Sequence, residues 1–295
     1  MRLPQFASAF FNSVSNFGWY LLKSSVLEDD KTPIRSGDGV VFQPLSISNL
    51  AFSIDHIKEI KSKLGVTMND VIVGIIFYAL RLYMQDLDHA SKEARSTALV
   101  VLNRRNVEGY QSVQNMLSKD AKSAWGNRAS SLHVSLPKLK DAMISNPLLF
   151  VLKAHKIIHR KRKSFAVLLT DLLMQMLYKI GGHEAVAKQF CRTVRKSSLV
   201  FSSMVGPVEQ IAMSNHPVKG LYYFVIGGPM DLVVTMMRYM GVLRITFKMD
   251  KGFLIEQKLK SCVVDAFDKI LKAARDMPIS CSKDSQEVDF QTPKC

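Results

Sequence analysis

Apolar and polar positions mark out most of the chain's elements, and one run dominates. Val71 to Leu80 is apolar apart from Gly74, the pattern of a helix enclosed on all sides. Thr67, with Asp70 three residues on, is a capping-box signature that sets the start of this helix. About sixteen residues in helical form make a rod of about 24 Å, long enough to cross a domain. Asn69 and Asp70 stand at its mouth, where the helix dipole favours a carboxylate. Capping is the simpler role for the pair, and a place in a reaction site the alternative.

The remaining elements follow from the same reading. Phe6, Phe10, Val14, Phe17 and Leu21 recur at helical spacing, so residues 1–23 are predicted as an amphipathic helix. Two roles are open to it: lying in a membrane interface, or docking its phenylalanines on the rest of the protein. Residues 24–39 are polar and rich in turn formers, which predicts a linker or surface loop before a folded body at 40–277. Val40 to Phe42 and Leu45 to Phe52 read as short extended segments, and Ser53 caps a helix that ends at Gly65. Thr97 to Asn103 reads as a buried strand, and Ser131 to Leu136 as a strand with one wet face. Asn146 and Pro147 open a helix to about Lys163. A second runs from Phe165 to Ile180, closed by Gly181 and Gly182, and a third from Glu184 to Arg195. Strand-like runs follow at Leu199 to Met204, Leu221 to Ile226, Leu232 to Met237 and Leu243 to Phe247, before a last helix from Gln257 to Ala274. Residues 278–295 are polar and aperiodic, which predicts a disordered tail. Helices alternating with strands predict an α/β fold, a mixed sheet with helices packed on it.

Charge narrows the partners. The 295 residues carry 40 Lys and Arg against 25 Asp and Glu, a net charge of +15, which suits phosphate, CoA or a lipid headgroup. The excess concentrates between Lys153 and Lys196, where eleven basic residues face only Asp171 and Glu184. Arg160, Lys161, Arg162 and Lys163 form its densest stretch, either a solvated helix C-terminus or an anion, CoA or membrane patch. No finger, RNP-like motif or recognition helix supports nucleic-acid binding. Cys191, Cys262, Cys281 and Cys295 lack metal or disulfide spacing and fit reduced thiols facing the cytosol. No apolar run reaches the 18 residues of a membrane span, so membrane contact is expected to be peripheral.

Few residues offer chemistry. His155 and His159 stand four apart on one helical face, but no third ligand completes a zinc pattern, so no metal is expected. His133 on an alternating strand fits a half-buried structural histidine. The glycines of Ser36 to Gly39 mark a turn, without the strand and helix of a phosphate loop. The run from Phe201 through Ser202, Ser203 and Gly206 to Pro207 ends a strand in a tight turn whose N–H groups could face a substrate.

Four segments, taken in order, resemble the carboxyl-terminal part of the plant wax ester synthase/diacylglycerol acyltransferase family: Lys31 to Ile34, Val66 to Gly74, Phe201 to Pro207 and Met236 to Thr246. The resemblance spans Ser24 to Ala274 and implies a CoA-dependent acyltransferase-like (chloramphenicol acetyltransferase-like) fold, mostly the second of the family's two domains. It implies O-acyl transfer from acyl-CoA, as substrate and not cofactor, to a fatty alcohol or diacylglycerol at a peripheral membrane. The endoplasmic reticulum's cytosolic face, with the plasma membrane second, is the implied location. Asn69 and Asp70 match the family's Asn-Asp motif as active-site supports, and Ser202, Ser203, Gly206 and Pro207 its turn, where the family's Ser-Asn-Val-Pro-Gly-Pro reads Ser-Ser-Met-Val-Gly-Pro. The family's base is the second histidine of His-His-x-x-x-Asp-Gly, and no two histidines are adjacent here. The expectation is a truncated acyltransferase, inactive alone; the alternative is a non-catalytic acyl-CoA- or membrane-binding remnant, self-associating or paired with a full-length relative.

Overall fold

The computed structural model describes residues 3–37, 44–103, 113–118, 129–162, 164–207 and 209–277. The expected strand at Val40 to Phe42, the tail 278–295 and Lys163 lie outside these residues. Along the chain come α1 (Leu3–Ser25), β1 (Leu45–Ser53), α2 (Ile54–Leu64), α3 (Met68–Leu87), β2 (Thr97–Asn103), α4 (Val113–Leu117) and β3 (Ala129–Ser135). Then follow α5 (Asp141–Ser145), α6 (Leu148–Arg162), α7 (Ala166–Arg195), β4 (Leu199–Val205), β5 (Ala212–Met213), β6 (His216–Pro217), β7 (Leu232–Tyr239), β8 (Val242–Asp250) and α8 (Glu256–Arg275).

Six strands form one sheet in the order β1-β8-β7-β4-β2-β3, with β5 and β6 a separate small ribbon. β2, β4 and β7 run parallel, while β3 and β8 are antiparallel to their neighbours. Side chains alternate between the faces. Leu199, Phe201, Leu232, Val234, Leu243, Ile245 and Phe247 join a large core with α3, α6 and α8. Leu99, Val200 and Val233 face the other way, with Val194 of α7 and Met230.

The capping box at Thr67 and Asp70 is formed by both of its hydrogen bonds, and α3 is buried continuously from Asp70 to Arg81. Arg81 is fully buried, and its guanidinium donates to the carbonyls of Ser91, Ala94, Leu136 and Pro137 at 2.9–3.2 Å. Burial lowers its pKa to about 10, still high enough to keep the charge at neutral pH. Ser53 caps α2 and Gly65 closes it in the left-handed conformation, both as the sequence predicts. The two helices expected on either side of Gly181 and Gly182 meet at a non-helical kink at Gly182 (φ 63°, ψ −159°) and are numbered together as α7.

Two expectations change. Leu221 to Ile226 is not a strand: the places beside β4 are taken by β2 and β7, so this segment crosses the sheet face instead. The Tyr223 hydroxyl donates to Ser202 of β4 at 3.0 Å, and Thr235 of β7 donates to the Tyr223 carbonyl. Strand propensity measures fit to a pleated, half-buried surface, and aromatic residues satisfy it here by lying on one. The second change is at 28–37, expected as linker or surface loop but carrying buried Asp29, Ile34 and Arg35. Asp29 accepts from Lys23, the Thr97 N–H (2.7 Å) and hydroxyl (2.9 Å), and the Ser198 hydroxyl (2.7 Å). One carboxylate thereby ties α1 to the starts of β2 and β4.

Gly74 is where α3 meets α6 most closely: a Cβ there would lie 2.6 Å from the Val151 Cα. Gly74→Ala is expected to lower stability by about 1–3 kcal/mol through overpacking, although alanine improves helix propensity by up to about 1 kcal/mol. A reduced urea midpoint at unchanged m-value is the measurement that checks it.

Candidate functional site

The carboxyl ends of β4 and β7 bring the motif residues together, the end at which open α/β sheets hold their ligands. Near the end of β7, a guanidinium nitrogen of Arg238 lies 3.4 Å from the sulfur of Met68, which places the start of α3 there. Asn69 is exposed at this helix mouth and Asp70 is buried behind it. Oδ2 of Asp70 accepts from the Thr67 N–H (2.9 Å) and hydroxyl (2.7 Å) and lies 2.8 Å from Nδ1 of His155 on α6. A carboxylate can only accept, so the His155 ring nitrogen is the donor. Asp70 thus caps α3 and clamps it to α6, leaving Asn69 as the polar group offered outward.

The turn after β4 closes the other side. Gly206 is buried against β7, where a Cβ would collide with the carbonyl oxygen of Arg238, so only glycine lets the two strand ends approach. Pro207 follows, half-buried. Ser202 faces Tyr223, whereas alternation turns Ser203 to the α3 side of the sheet. Met204 and Val205 are exposed beside the turn, and Phe224, Val225 and Ile226 are exposed on the crossing segment. The site is the strand end itself, with Asn69 and Arg238 on its α3 side and Met204 and Val205 exposed beside the turn, while the crossing segment lies over the opposite face.

The basic stretch at the end of α6 is not a single face. Arg160 and Arg162 are exposed, but Lys161 is half-buried and lines a cavity with Tyr20 and His133; Lys163 is not among the described residues. The rings of His155 and His159 stack with centroids 5.3 Å apart. No group of three or more His, Cys, Asp or Glu able to hold a metal ion occurs among the described residues.

His133 is fully buried at 3% exposure, not half-buried as expected, because α1 covers it: the Tyr20 ring packs edge-on at 5.3 Å. Neither ring nitrogen has a hydrogen-bond partner. Burial, with the charges of Lys161 and Lys23 behind it, lowers its pKa to about 3. The ring is neutral at pH 7 and too weakly basic for a general base working there. Sequence reasoning missed Arg238 and the Asp70–His155 contact; Arg238 lay within a recognised motif, but nothing in the sequence links positions 85 residues apart.

Residues 125–271 match the family model described as the WS/DGAT C-terminal domain, where WS/DGAT is wax ester synthase/diacylglycerol acyltransferase. The chain is similar to WS/DGAT proteins over most of its length. It is 28% identical over 265 residues to wax ester synthase/diacylglycerol acyltransferase 7 of Arabidopsis thaliana, covering 84% of this chain and 54% of that protein. For wax ester synthase/diacylglycerol acyltransferase 11 of the same plant the identity is 26%, over 90% of this chain and 56% of the relative. The chain therefore spans about half the length of the curated relatives it matches. Among solved structures, the wax ester synthase/diacylglycerol acyltransferase from Marinobacter aquaeolei VT8 superposes with a TM-score of 0.56 at 13% identity, covering 89% of this chain and 56% of that one. A cyclization-docking bidomain of a nonribosomal peptide synthetase from Sorangium cellulosum gives 0.54 at 12% identity, over 92% of this chain and 49% of that one. The chain shares with these two structures the α/β fold, a mixed sheet with packed helices, expected from its sequence.

The buried His133 generates a pH prediction. Its folded-state pKa of about 3 lies below the ordinary 6.5, so between these values the unfolded chain binds more protons. The stabilisation is complete above pH 6.5 and is lost as pH falls toward 3. This histidine is expected to remove about 2 kcal/mol between pH 7 and pH 5. Urea unfolding of His133→Leu beside the parent should show that part of the acid slope disappear.

Proposed function

We propose that this chain is one half of an acyl-CoA-dependent O-acyltransferase that esterifies a long-chain alcohol or diacylglycerol. The observation that carries the reading is the convergence of Asn69, the Gly206–Pro207 turn and Arg238 at the carboxyl ends of β4 and β7, where Met204 and Val205 are exposed. This strand end suits one wall of an acyl tunnel, with Asn69 and Arg238 as its polar edge. Removing the alcohol proton needs a base, worth about 10² to 10⁴ in rate, and no adjacent histidine pair is present to match the family motif. Purified chain is expected to form no ester from long-chain acyl-CoA and either acceptor. The same chain joined to the amino-terminal half of a relative bearing the His-His motif is expected to form it. Comparable turnover by the chain alone, or none by the folded fusion, overturns the reading. A folded but inactive fusion that still binds acyl-CoA would support the remnant reading.

Peripheral attachment to an anionic membrane is the second part of the proposal. Val14, Leu21 and Leu22 on α1 are exposed, as are Leu168, Leu172 and Met176 on α7, while the basic excess lies in the same 153–196 stretch. Apolar side chains flanked by cations suit an interfacial surface. Among the described residues no single helix is long and apolar enough to cross a membrane. Free Cys191 and Cys262 accord with the cytosolic face of the endoplasmic reticulum as the location. Flotation with phosphatidylserine vesicles is expected to carry the chain at low salt, and Leu168→Asp with Leu172→Asp to abolish it. Equal flotation of parent and double variant contradicts this surface.

A further inference from the structure

At the edge of the sheet, where the chain passes from α6 to α7, a small cavity lies between α1, β3 and these two helices. Its volume is about 20 Å³, room for little more than one water-sized group. Asn16, Ser131 and Thr170 are among its polar lining, and three further groups there are donors. His133 is 97% removed from solvent with both ring nitrogens unpartnered, and the buried Tyr20 hydroxyl also makes no hydrogen bond. The neighbouring Thr193 hydroxyl donates instead to the Gln189 carbonyl at 2.8 Å. The third is the Lys161 ammonium, which pairs with no carboxylate among the described residues. Trp19, Leu132 and Val167 supply apolar wall.

Buried polar groups without partners are costly, and the unpartnered Tyr20 hydroxyl and His133 ring, with the half-buried Lys161 beside them, call for a common acceptor. We propose that the cavity binds a carboxylate, ion-paired to Lys161 and hydrogen-bonded by the Tyr20 hydroxyl and a ring N–H of His133. One cation with two neutral donors matches a single negative charge. A carboxylate seats there by placing one oxygen in the cavity and leaving the rest of the molecule at its mouth. Burial lowers the Lys161 pKa to about 8, Arg160 adding to the effect, and an anion alongside would reverse this cost. The site is separate from the proposed tunnel wall, since its lining includes neither Asn69 nor the Gly206 turn.

The carboxylate could belong to a short acid or to the head of a fatty acid, and the test separates them. The whole chain, labelled with ¹⁵N in its histidine rings, is titrated with acetate, octanoate and inorganic phosphate at pH 7. Saturable shifts of the His133 resonances with acetate and octanoate at similar affinity identify the carboxylate alone as the ligand. Octanoate binding tenfold or more tightly than acetate identifies a fatty acid whose chain uses the apolar wall. Lys161→Met is expected to weaken binding at least tenfold with an unchanged unfolding midpoint, and Tyr20→Phe three- to tenfold. The wild-type titration decides the matter even if a variant fails to fold. No saturable shift with either carboxylate, tighter binding of phosphate, or unaltered binding in a folded Lys161→Met protein overturns the proposal and leaves a water-filled cavity.

Discussion

Enclosure of α3 is the constraint on which the rest of the structure depends. A helix buried from Asp70 to Arg81 needs cover on every side, and the sheet, α6 and α8 supply it. Each large apolar side chain so buried contributes about 1.5–3 kcal/mol. The cost falls on polar groups carried along. Arg81 offsets its desolvation by donating to four carbonyls, and the Tyr83 hydroxyl accepts from the Ile255 N–H at 2.9 Å, fixing the entry to α8. The central helix therefore also organises the loops around it.

That enclosure positions the candidate site. Gly74 lets α6 press against α3, and the Asp70–His155 contact sets how the two helices end together. The beginning of α3 is held beside Arg238, and the same Arg238 backbone requires glycine at position 206. At the opposite end of the sheet, buried Asp29 joins α1, β2 and β4. Removing one partner from such a buried charged network costs about 3–5 kcal/mol. One end of the sheet is thus locked by a saturated polar node, while the other is left open with exposed apolar side chains. Rigidity at the first end is compatible with ligand contact at the second.

Local signals were legible wherever a short segment decided its own fate. The capping box of α3, the Ser53 cap and Gly65 stop of α2, and the break at Gly182 all follow from residues within a few positions. Competition for neighbours was not legible. Leu221 to Ile226 has the composition of a strand, but a strand needs a free edge beside it, and β4 has none. The polar segment near Asp29 looked solvated because its partners, Lys23, Thr97 and Ser198, are scattered along the chain. In the candidate site the motif positions could be picked out beforehand, but not the division of labour between buried Asp70 and exposed Asn69.

From Ser13 onward, the packing of α1 departs from the simple expectation for an amphipathic helix. Ser13, Tyr20, Lys23 and Ser24 are buried, whereas Val14, Leu21 and Leu22 are exposed. Neither original alternative describes this by itself, because the helix is docked and yet turns apolar side chains outward. The inward choice has a polar cause: Lys23 reaches Asp29, Ser13 accepts from the Phe165 N–H at 3.1 Å, and Tyr20 closes over His133. Specific polar contacts have won over indiscriminate burial of apolar area. The result exposes apolar surface on α1 as well as on α7, where burying it against the body would hide it from a lipid interface.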